Sequence, residues 1–322
     1  MTRLKLWRAA NQALHDALEA DERVVVLGQD VARPGGPYGL TRGLVQRFGE
    51  ERVRDAPIAE GALLACGVGA AMAGLRPVVE IMFLDFVTLA MDQLVNQAAK
   101  FRFFNPGGAL PLVVHTLYGG RASMGAQHSQ ALEAWLCHVP GLKVAFPSAP
   151  QDAYDVLRDA IDDPGPVVVI EPIALLRAEG EVDLLRPRTP TKGAGRLVRS
   201  GGSATVVSWG PAVGICEDAI ASLGADVDLV DLRWLQPWDR DLVLSSFRRT
   251  GRLLVVHDAV EEGGYGAEIV ATITKEGFWS MDAPPMRVGA PARPIPVRSA
   301  DWRDVLPSVE RVADALARLL AA

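Results

Sequence analysis

No two of the three cysteines, Cys66, Cys137 and Cys216, lie near one another in the chain. A CxxC zinc or redox site is therefore excluded, and the odd count argues against a disulfide framework. The three read as buried, reduced thiols of a cytoplasmic protein. Phosphate-binding loops are missing too. There is no GxxxxGK[ST], and Gly67-Val68-Gly69 lacks the strand-linked GxGxxG context of a dinucleotide site. Without HExxH or an acidic cluster, no transition-metal site is indicated. Without GxSxG, the serine-hydrolase elbow is removed. No apolar run approaches the roughly 20 residues that a membrane helix needs, since the Ala/Gly-rich run at 61–75 leads straight into Arg76-Pro77. Positive charge is not in excess either: the net charge of −6 argues against a nucleic-acid surface. No solenoid repeat and no low-complexity segment is visible.

What remains is an ordinary globular composition, 49% apolar and 22% charged, with a length that suits two domains at roughly 150 residues each. Leu4, Trp7, Leu14 and Leu18 fall near one face of an N-terminal amphipathic helix, which is not the pattern of a signal peptide. From there short buried strands alternate with helices: strands at 23–28, 77–83, 110–115, 142–146 and 166–172, helices at 60–74, 88–101, 130–138 and 151–162, and a short helix within 40–48. Pro150 stands where the helix before Asp162 starts. Such alternation predicts an α/β fold with a parallel sheet. Residues 173–203, rich in Pro and Gly, suit a linker with one hairpin. The alternation then restarts with strands at 204–209, 227–232 and 252–257, and helices at 211–223, 239–249, 264–276 and 303–320. The resulting division is a first domain over 1–180, a linker over 181–202 and a smaller α/β domain over 203–322.

One stretch, 55–100, stands out. Glu60 opens a run without charge that lasts until Arg76. Gly61, Ala65, Gly69 and Ala73 recur at a spacing of four, a small-residue face on any helix formed here. A buried strand follows, so a carboxyl sits beside a strand end, where α/β proteins place ligands. Of the five histidines, His128 differs from the others. It lies in a long loop of small residues, 117–130, and loops of that length inside a compact domain are usually functional. Histidine is also the commonest acid/base group. Glu60 and His128 are thus the candidate catalytic residues, and residue types alone carry the reading no further than a two-domain α/β enzyme.

The stretches DAPIAEGALLACGVGAAMAGLRPVVEIMFLDF, DQLVNQAAK, GAQHSQALEAW, HVPGLKVAFPSAPQDA and VDLRWLQPWD resemble the beta subunit of the thiamine-diphosphate-dependent decarboxylase component of 2-oxo acid dehydrogenase complexes. This family includes the pyruvate, branched-chain and acetoin enzymes. The resemblance covers almost the whole chain. It implies a transketolase-like pyrimidine-binding domain, a transketolase-type C-terminal domain, and an α2β2 heterotetramer with an alpha subunit. This sequence has no GDG loop, so the alpha subunit is expected to hold the diphosphate and its Mg²⁺. By position, Glu60 is implied to hydrogen-bond the pyrimidine ring nitrogen of the cofactor and to favour its imino form. Phe86 is implied to stack on the pyrimidine, with Ile58 and Met82 lining the pocket. His128 matches a histidine at the mouth of the site that handles protons during decarboxylation or acyl transfer to a lipoylated acyltransferase. The carbonyls of Leu112 and Val113, with Ala160, Asp163 and Gly165, fall near a structural K⁺ site.

Three departures stand beside the resemblance. His115 occupies a position where many relatives have Arg, Gly165 replaces a common Asn, and the tail PARPIPVRSADWRDVLP follows the family pattern loosely. The substrate stays open among pyruvate, a branched-chain 2-oxo acid and acetoin. A two-subunit transketolase-like or acyloin-forming enzyme, using the same cofactor without a lipoyl acceptor, is the alternative. No nucleic acid and no membrane is expected as a partner.

Overall fold

The computed structural model describes residues 1–186 and 188–322; Pro187, one of the linker prolines, lies outside the described residues. The chain divides into two compact units. One comprises Met1–Tyr118 with Trp135–Lys192, the other Gly119–Ala134 with Gly193–Ala322.

The first unit opens with β1 (Thr2–Lys5) and α1 (Leu6–Ala20). It continues through β2 (Val24–Gly28), α2 (Leu44–Phe48), β3 (Val53–Asp55), α3 (Glu60–Met72) and β4 (Arg76–Ile81). After α4 (Phe101–Phe104) and β5 (Val113–Tyr118), the chain passes α5 (Glu133–Cys137) and adds β6 (Lys143–Ala145), α6 (Pro150–Asp162), β7 (Val167–Pro172) and β8 (Glu179–Val182). Its central strands lie in the order β6-β7-β5-β4-β2-β3, and every one of these pairs is parallel. Strands β2, β4, β5 and β7 are Val-rich and almost wholly buried, as expected of a parallel sheet covered by helices. Helix α1 buries Ala9, Ala10, Ala13, Leu14, Ala17 and Leu18 and packs on α6. Leu4, expected on that helix, belongs instead to β1.

Helix α3 is apolar nearly all round, yet only Glu60, Leu63, Leu64, Gly67, Val68 and Ala71 are buried. Close approach to the sheet depends on Gly67, where a Cβ would overlap Cγ2 of Val79 on β4. The small-residue face behaves differently: Gly69 looks into open space, and Ala73 is exposed. Cys66 is exposed on the outer side of the same helix, so it is not a buried thiol, whereas Cys216 is fully buried. Gly67→Ala is expected to cost about 1–3 kcal/mol, the usual penalty for overpacking a tight contact. A lowered urea midpoint at unchanged m-value would register it.

The helix expected over 88–101 is broken into three pieces. Residues Leu84–Ala90 form a 3₁₀ helix, Asp92–Ala98 a π-helix, and only Phe101–Phe104 an α turn. The buried positions explain the difference. Leu84, Val87 and Ala90 recur every three residues, which is the 3₁₀ period. Leu94 and Ala98 are the only buried positions of the π segment, which Ala99 N–H closes on the Leu94 carbonyl at 2.9 Å. Leu89, within the expected helix, is exposed.

The second unit contains β9 (Arg196–Arg199), β10 (Thr205–Ser208), α7 (Ala212–Leu223), β11 (Asp228–Asp231), β12 (Trp234–Gln236) and α8 (Arg240–Thr250). It ends with β13 (Leu253–Val260), α9 (Gly266–Gly277), β14 (Met286–Ala290), α10 (Ser299–Arg303) and α11 (Val309–Ala321). The strand order is β14-β13-β10-β11-β9, parallel except for β9. The core joins Val206, Leu254 and Val288 on the strands to Val213, Ile220, Val312 and Leu316 on α7 and α11. Both α8 and α11 begin at side-chain caps: Asp239 accepts from Leu242 N–H at 3.0 Å and Ser308 from Arg311 N–H at 3.2 Å. Among the described residues the hairpin expected in the linker does not form. β8 pairs with β1 and β9 with β11, both antiparallel, so each strand joins a partner distant in sequence.

Candidate functional site

In the first unit the candidate residues gather at the C-terminal ends of adjacent parallel strands, the position where open α/β sheets bind ligands. Gly28 ends β2, and its carbonyl accepts from Ala56 N–H at 2.7 Å, which ties the segment after β3 to that end. Four residues on, Glu60 opens α3. Its carboxyl is buried at 5% exposure, and Glu60 Oε1 accepts from Gln29 Nε2 at 3.2 Å. Among the described residues Oε2 makes no hydrogen bond, and it is not sealed from solvent. A carboxyl in the first helical turn also faces the positive end of the helix dipole.

Met82 follows β4 directly and is half-buried. Phe86 lies on the next turn, also half-buried, edge-on to Phe83 with ring centroids 5.7 Å apart. That turn packs against the start of α3: a Cβ on Gly61 would come within 3.1 Å of the Leu89 carbonyl oxygen. Ile58, by contrast, is 83% exposed. The fold thus places Glu60, Met82 and Phe86 on neighbouring strand ends and leaves Ile58 on the open side. Gln29, which positions the Glu60 carboxyl, was not singled out from the sequence. Its one signal was a polar residue directly after a buried strand.

Behind these strand ends lies a second polar group. Glu80 and His115 are register partners on β4 and β5, and Glu171 stands near the end of β7. His115 Nδ1 is 3.8 Å from Glu80 and Nε2 is 3.4 Å from Glu171, all three side chains being buried. Burial alone would lower the imidazole pKa. Glu171 and Glu80 outweigh it and push it up to about 10, which favours the charged ring.

His128 belongs to the other unit, whose segment Gly119–Ala134 clusters with the C-terminal half of the chain. The segment is pinned there by Arg121, whose guanidinium takes both oxygens of Asp258 and the Pro307 carbonyl at 2.6–3.1 Å. Backbone geometry holds it tightly as well. A Cβ on Gly119 would overlap the His128 carbonyl oxygen, and Gly125 adopts a φ of +76°. His128 itself is half-buried, and its N–H donates to the Gly125 carbonyl at 3.2 Å. Its neighbours Gln127, Ser129 and Gln130 line a cavity of about 410 Å³ with Asp258 and Arg293. Glu133, fully buried nearby, accepts from Trp209 Nε1 at 3.2 Å, and burial pushes its pKa up to about 7. Glu60 and His128 therefore sit on different compact units.

Of the residues expected near a K⁺ site, Ala160 lies in the last turn of α6, with Asp163 and Gly165 just beyond it. The Leu112 carbonyl accepts from Val167 N–H at 2.9 Å and the Ala160 carbonyl from Asp163 N–H at 3.3 Å. Val113 is in β5. Asp163 Oδ1 accepts from Lys143 Nζ at 2.9 Å and from Gly165 N–H at 2.8 Å, while Oδ2 accepts from Lys192 Nζ at 2.8 Å. Among the described residues no group of three or more His, Cys, Asp or Glu is arranged to hold a metal ion. No helix among them is long and apolar enough to cross a membrane.

Comparison with known proteins gives the geometry a lineage. Residues 3–179 match the family model of the transketolase pyrimidine binding domain, and 193–312 that of the transketolase C-terminal domain. The chain is 40% identical to 2-oxoisovalerate dehydrogenase subunit beta 2 of Arabidopsis thaliana, over 97% of this chain and 88% of that protein. It is 38% identical to the pyruvate dehydrogenase E1 component subunit beta of Rhizobium meliloti, over 98% of this chain and 70% of that protein. Among solved structures, a split-gene transketolase described as an inactive β4 tetramer superposes with a TM-score of 0.79 at 20% identity, covering 99% of this chain and 98% of that one. That likeness speaks for the fold. At this identity and coverage the sequence relatives decide the family: the chain belongs to the beta subunits of the E1 component of 2-oxo acid dehydrogenases, built from the pyrimidine-binding and C-terminal domains of transketolase.

Proposed function

We propose that this chain provides the pyrimidine-holding half of a thiamine-diphosphate active site that decarboxylates a 2-oxo acid, pyruvate or a branched-chain acid, and passes the acyl group to a lipoylated acyltransferase. The observation that carries the reading is the division of labour at Glu60. Gln29 occupies Oε1, so Oε2 is the oxygen that holds a proton toward a ring nitrogen. Phe86 and Met82, half-buried on neighbouring strand ends, offer the apolar faces that a flat heterocycle needs. Ile58 completes this surface from the exposed side. When bound, thiamine diphosphate supplies the carbanion that attacks the 2-oxo carbon and the electron sink for loss of CO₂.

The other half of the site is assigned to an alpha subunit in an α2β2 heterotetramer. This chain lacks a GDG loop. The exposed Gly69 and Ala73 on α3 suit a surface that another chain covers. His128, half-buried on a loop held by Arg121, would give or take a proton at substrate or acceptor. Relatives named for pyruvate and for 2-oxoisovalerate align about equally well, at 38% and 40%, so identity does not separate these substrates.

The test is reconstitution with the alpha subunit. The tetramer is expected to decarboxylate pyruvate or 2-oxoisovalerate and to acylate a free lipoyl domain, followed by mass spectrometry. Decarboxylation that yields only acyloin, with the lipoyl domain unmodified, would instead identify an enzyme without a lipoyl acceptor.

A further inference from the structure

The second unit has a strand-end crevice of its own. β13 and β14 are adjacent and parallel. Residues at and just beyond their carboxyl ends, within 258–260 and 290–295, line the cavity of about 410 Å³, and the segment 126–132 supplies the rest of its lining. Carboxyl ends of parallel strands are where open α/β sheets take ligands, and the volume lies in the range of small-molecule sites. The two sides are packed together. A Cβ on Gly125 would overlap Cγ2 of Val297, and Trp302 Nε1 donates to Ser123 Oγ at 3.4 Å.

The lining is mostly apolar, and its few polar groups favour an anion. Leu132, Val260 and Ile295 provide aliphatic surface, and Asp258 and Arg293 are the only charged side chains in it among the described residues. Asp258 is already neutralised, because Arg121 takes both its oxygens at 2.6–3.1 Å. Arg293 is exposed, and among the described residues its guanidinium has no hydrogen bond or ion pair. A guanidinium without an anion is the group whose planar fork matches a carboxylate. Ser129, also in the lining, is 1% exposed, and its Oγ has no partner among the described residues, an uncommon state for a buried hydroxyl. A cationic ligand would meet two guanidinium groups and a carboxylate that is spent. We propose that this cavity binds a short aliphatic carboxylate, its charged head paired with Arg293 and its body against Leu132, Val260 and Ile295. Because 126–132 forms part of the lining, the bound acid also steadies the loop that carries His128.

Every group of this cavity belongs to this chain, so the full-length chain without an alpha subunit is the sample, and binding is independent of how the chain acts in catalysis. Calorimetry with isovalerate and 2-oxoisovalerate is compared with isovaleramide and 3-methylbutylammonium, neutral and cationic molecules of similar shape. Both acids are expected to saturate one site with Kd below about 10 mM. The amide and the amine should bind at least about tenfold more weakly, the scale of one charge-assisted hydrogen bond. The tighter acid shows whether the cavity serves 2-oxo acids or plain carboxylates. Arg293→Met should weaken both acids by at least about tenfold, and Ala292→Phe, at an exposed position, should obstruct the cavity. Failure of either acid to saturate, equal binding of the amide, or unchanged affinity in either variant overturns the proposal. Should a variant not fold, hydrogen exchange of the unaltered chain decides. Either acid is expected to slow amide exchange within 126–132 and 290–295, and slowing confined to other segments, or none, overturns it.

Discussion

Glu60→Gln in the complex reconstituted with the alpha subunit is expected to lower turnover by at least about 10²-fold, the usual scale for removing a positioned acid/base group. The amide keeps the size and the hydrogen-bonding reach of the carboxyl. Gln29 Nε2 can still donate to the side-chain oxygen at the Oε1 position, so the first turn of α3 and its contact with the 84–90 turn should stay in place. What disappears is an exchangeable acid proton on the second atom, which becomes an NH₂. The expected signature is loss of kcat with assembly, circular dichroism and melting temperature unchanged. Substrate-independent chemistry separates this role from a structural one. Exchange of the cofactor's acidic C–H in deuterated water, followed by NMR after acid quench, should slow in parallel with turnover. A Glu60→Gln complex that turns over normally would end the assignment of Glu60 as proton carrier. A variant that fails to assemble would show that the carboxyl serves the fold instead.

Why Glu60 was visible in the sequence and Gln29 was not is a matter of contrast. An acid at the head of a run with no other charge up to Arg76 must either be paired or be used. A glutamine after a strand is an ordinary loop residue, and only the fold shows that its amide reaches 31 residues along the chain. The parallel α/β sheet was legible because Val-rich strands alternate with helices. The segment over 84–104 was not, because positions three apart and then wider apart mimic an average α period. The allegiance of the 119–134 loop was hidden for a related reason. It is set by Arg121 and Asp258, 137 positions apart, and sequence spacing carries no trace of such a pair. The same holds for the Lys143 and Lys192 ammonium groups that meet at Asp163, 20 and 29 positions away.

Replacing His115 by Gln is expected to cost about 3–5 kcal/mol of stability, because it leaves two buried carboxylates without a counter-charge. The register places Glu80 directly beside His115, and Glu171 faces the other ring nitrogen. The charge is therefore shared by three adjacent strands, β4, β5 and β7. Two of these lead directly to segments that carry candidate residues: β4 into Met82 and Phe86, and β5 into the loop that carries His128. The pH dependence follows from the direction of the shift. The folded-state pKa, about 10, lies above the ordinary histidine value. The stabilisation is complete below about pH 6.5, where the unfolded chain is protonated too. It declines as pH rises from there and is gone once pH passes the folded value. The difference in unfolding free energy between the parent and His115→Gln should therefore be largest below pH 6.5 and shrink steadily toward pH 10. Taking the difference cancels lysine and tyrosine titrations common to both proteins. Adding Glu171→Gln to His115→Gln should recover part of the loss, because one uncompensated carboxylate is removed, and a packing defect would show no such recovery. Equal stability of parent and His115→Gln from pH 6 to pH 10 in urea titrations would mean that the imidazole is neutral and the carboxylates are compensated elsewhere.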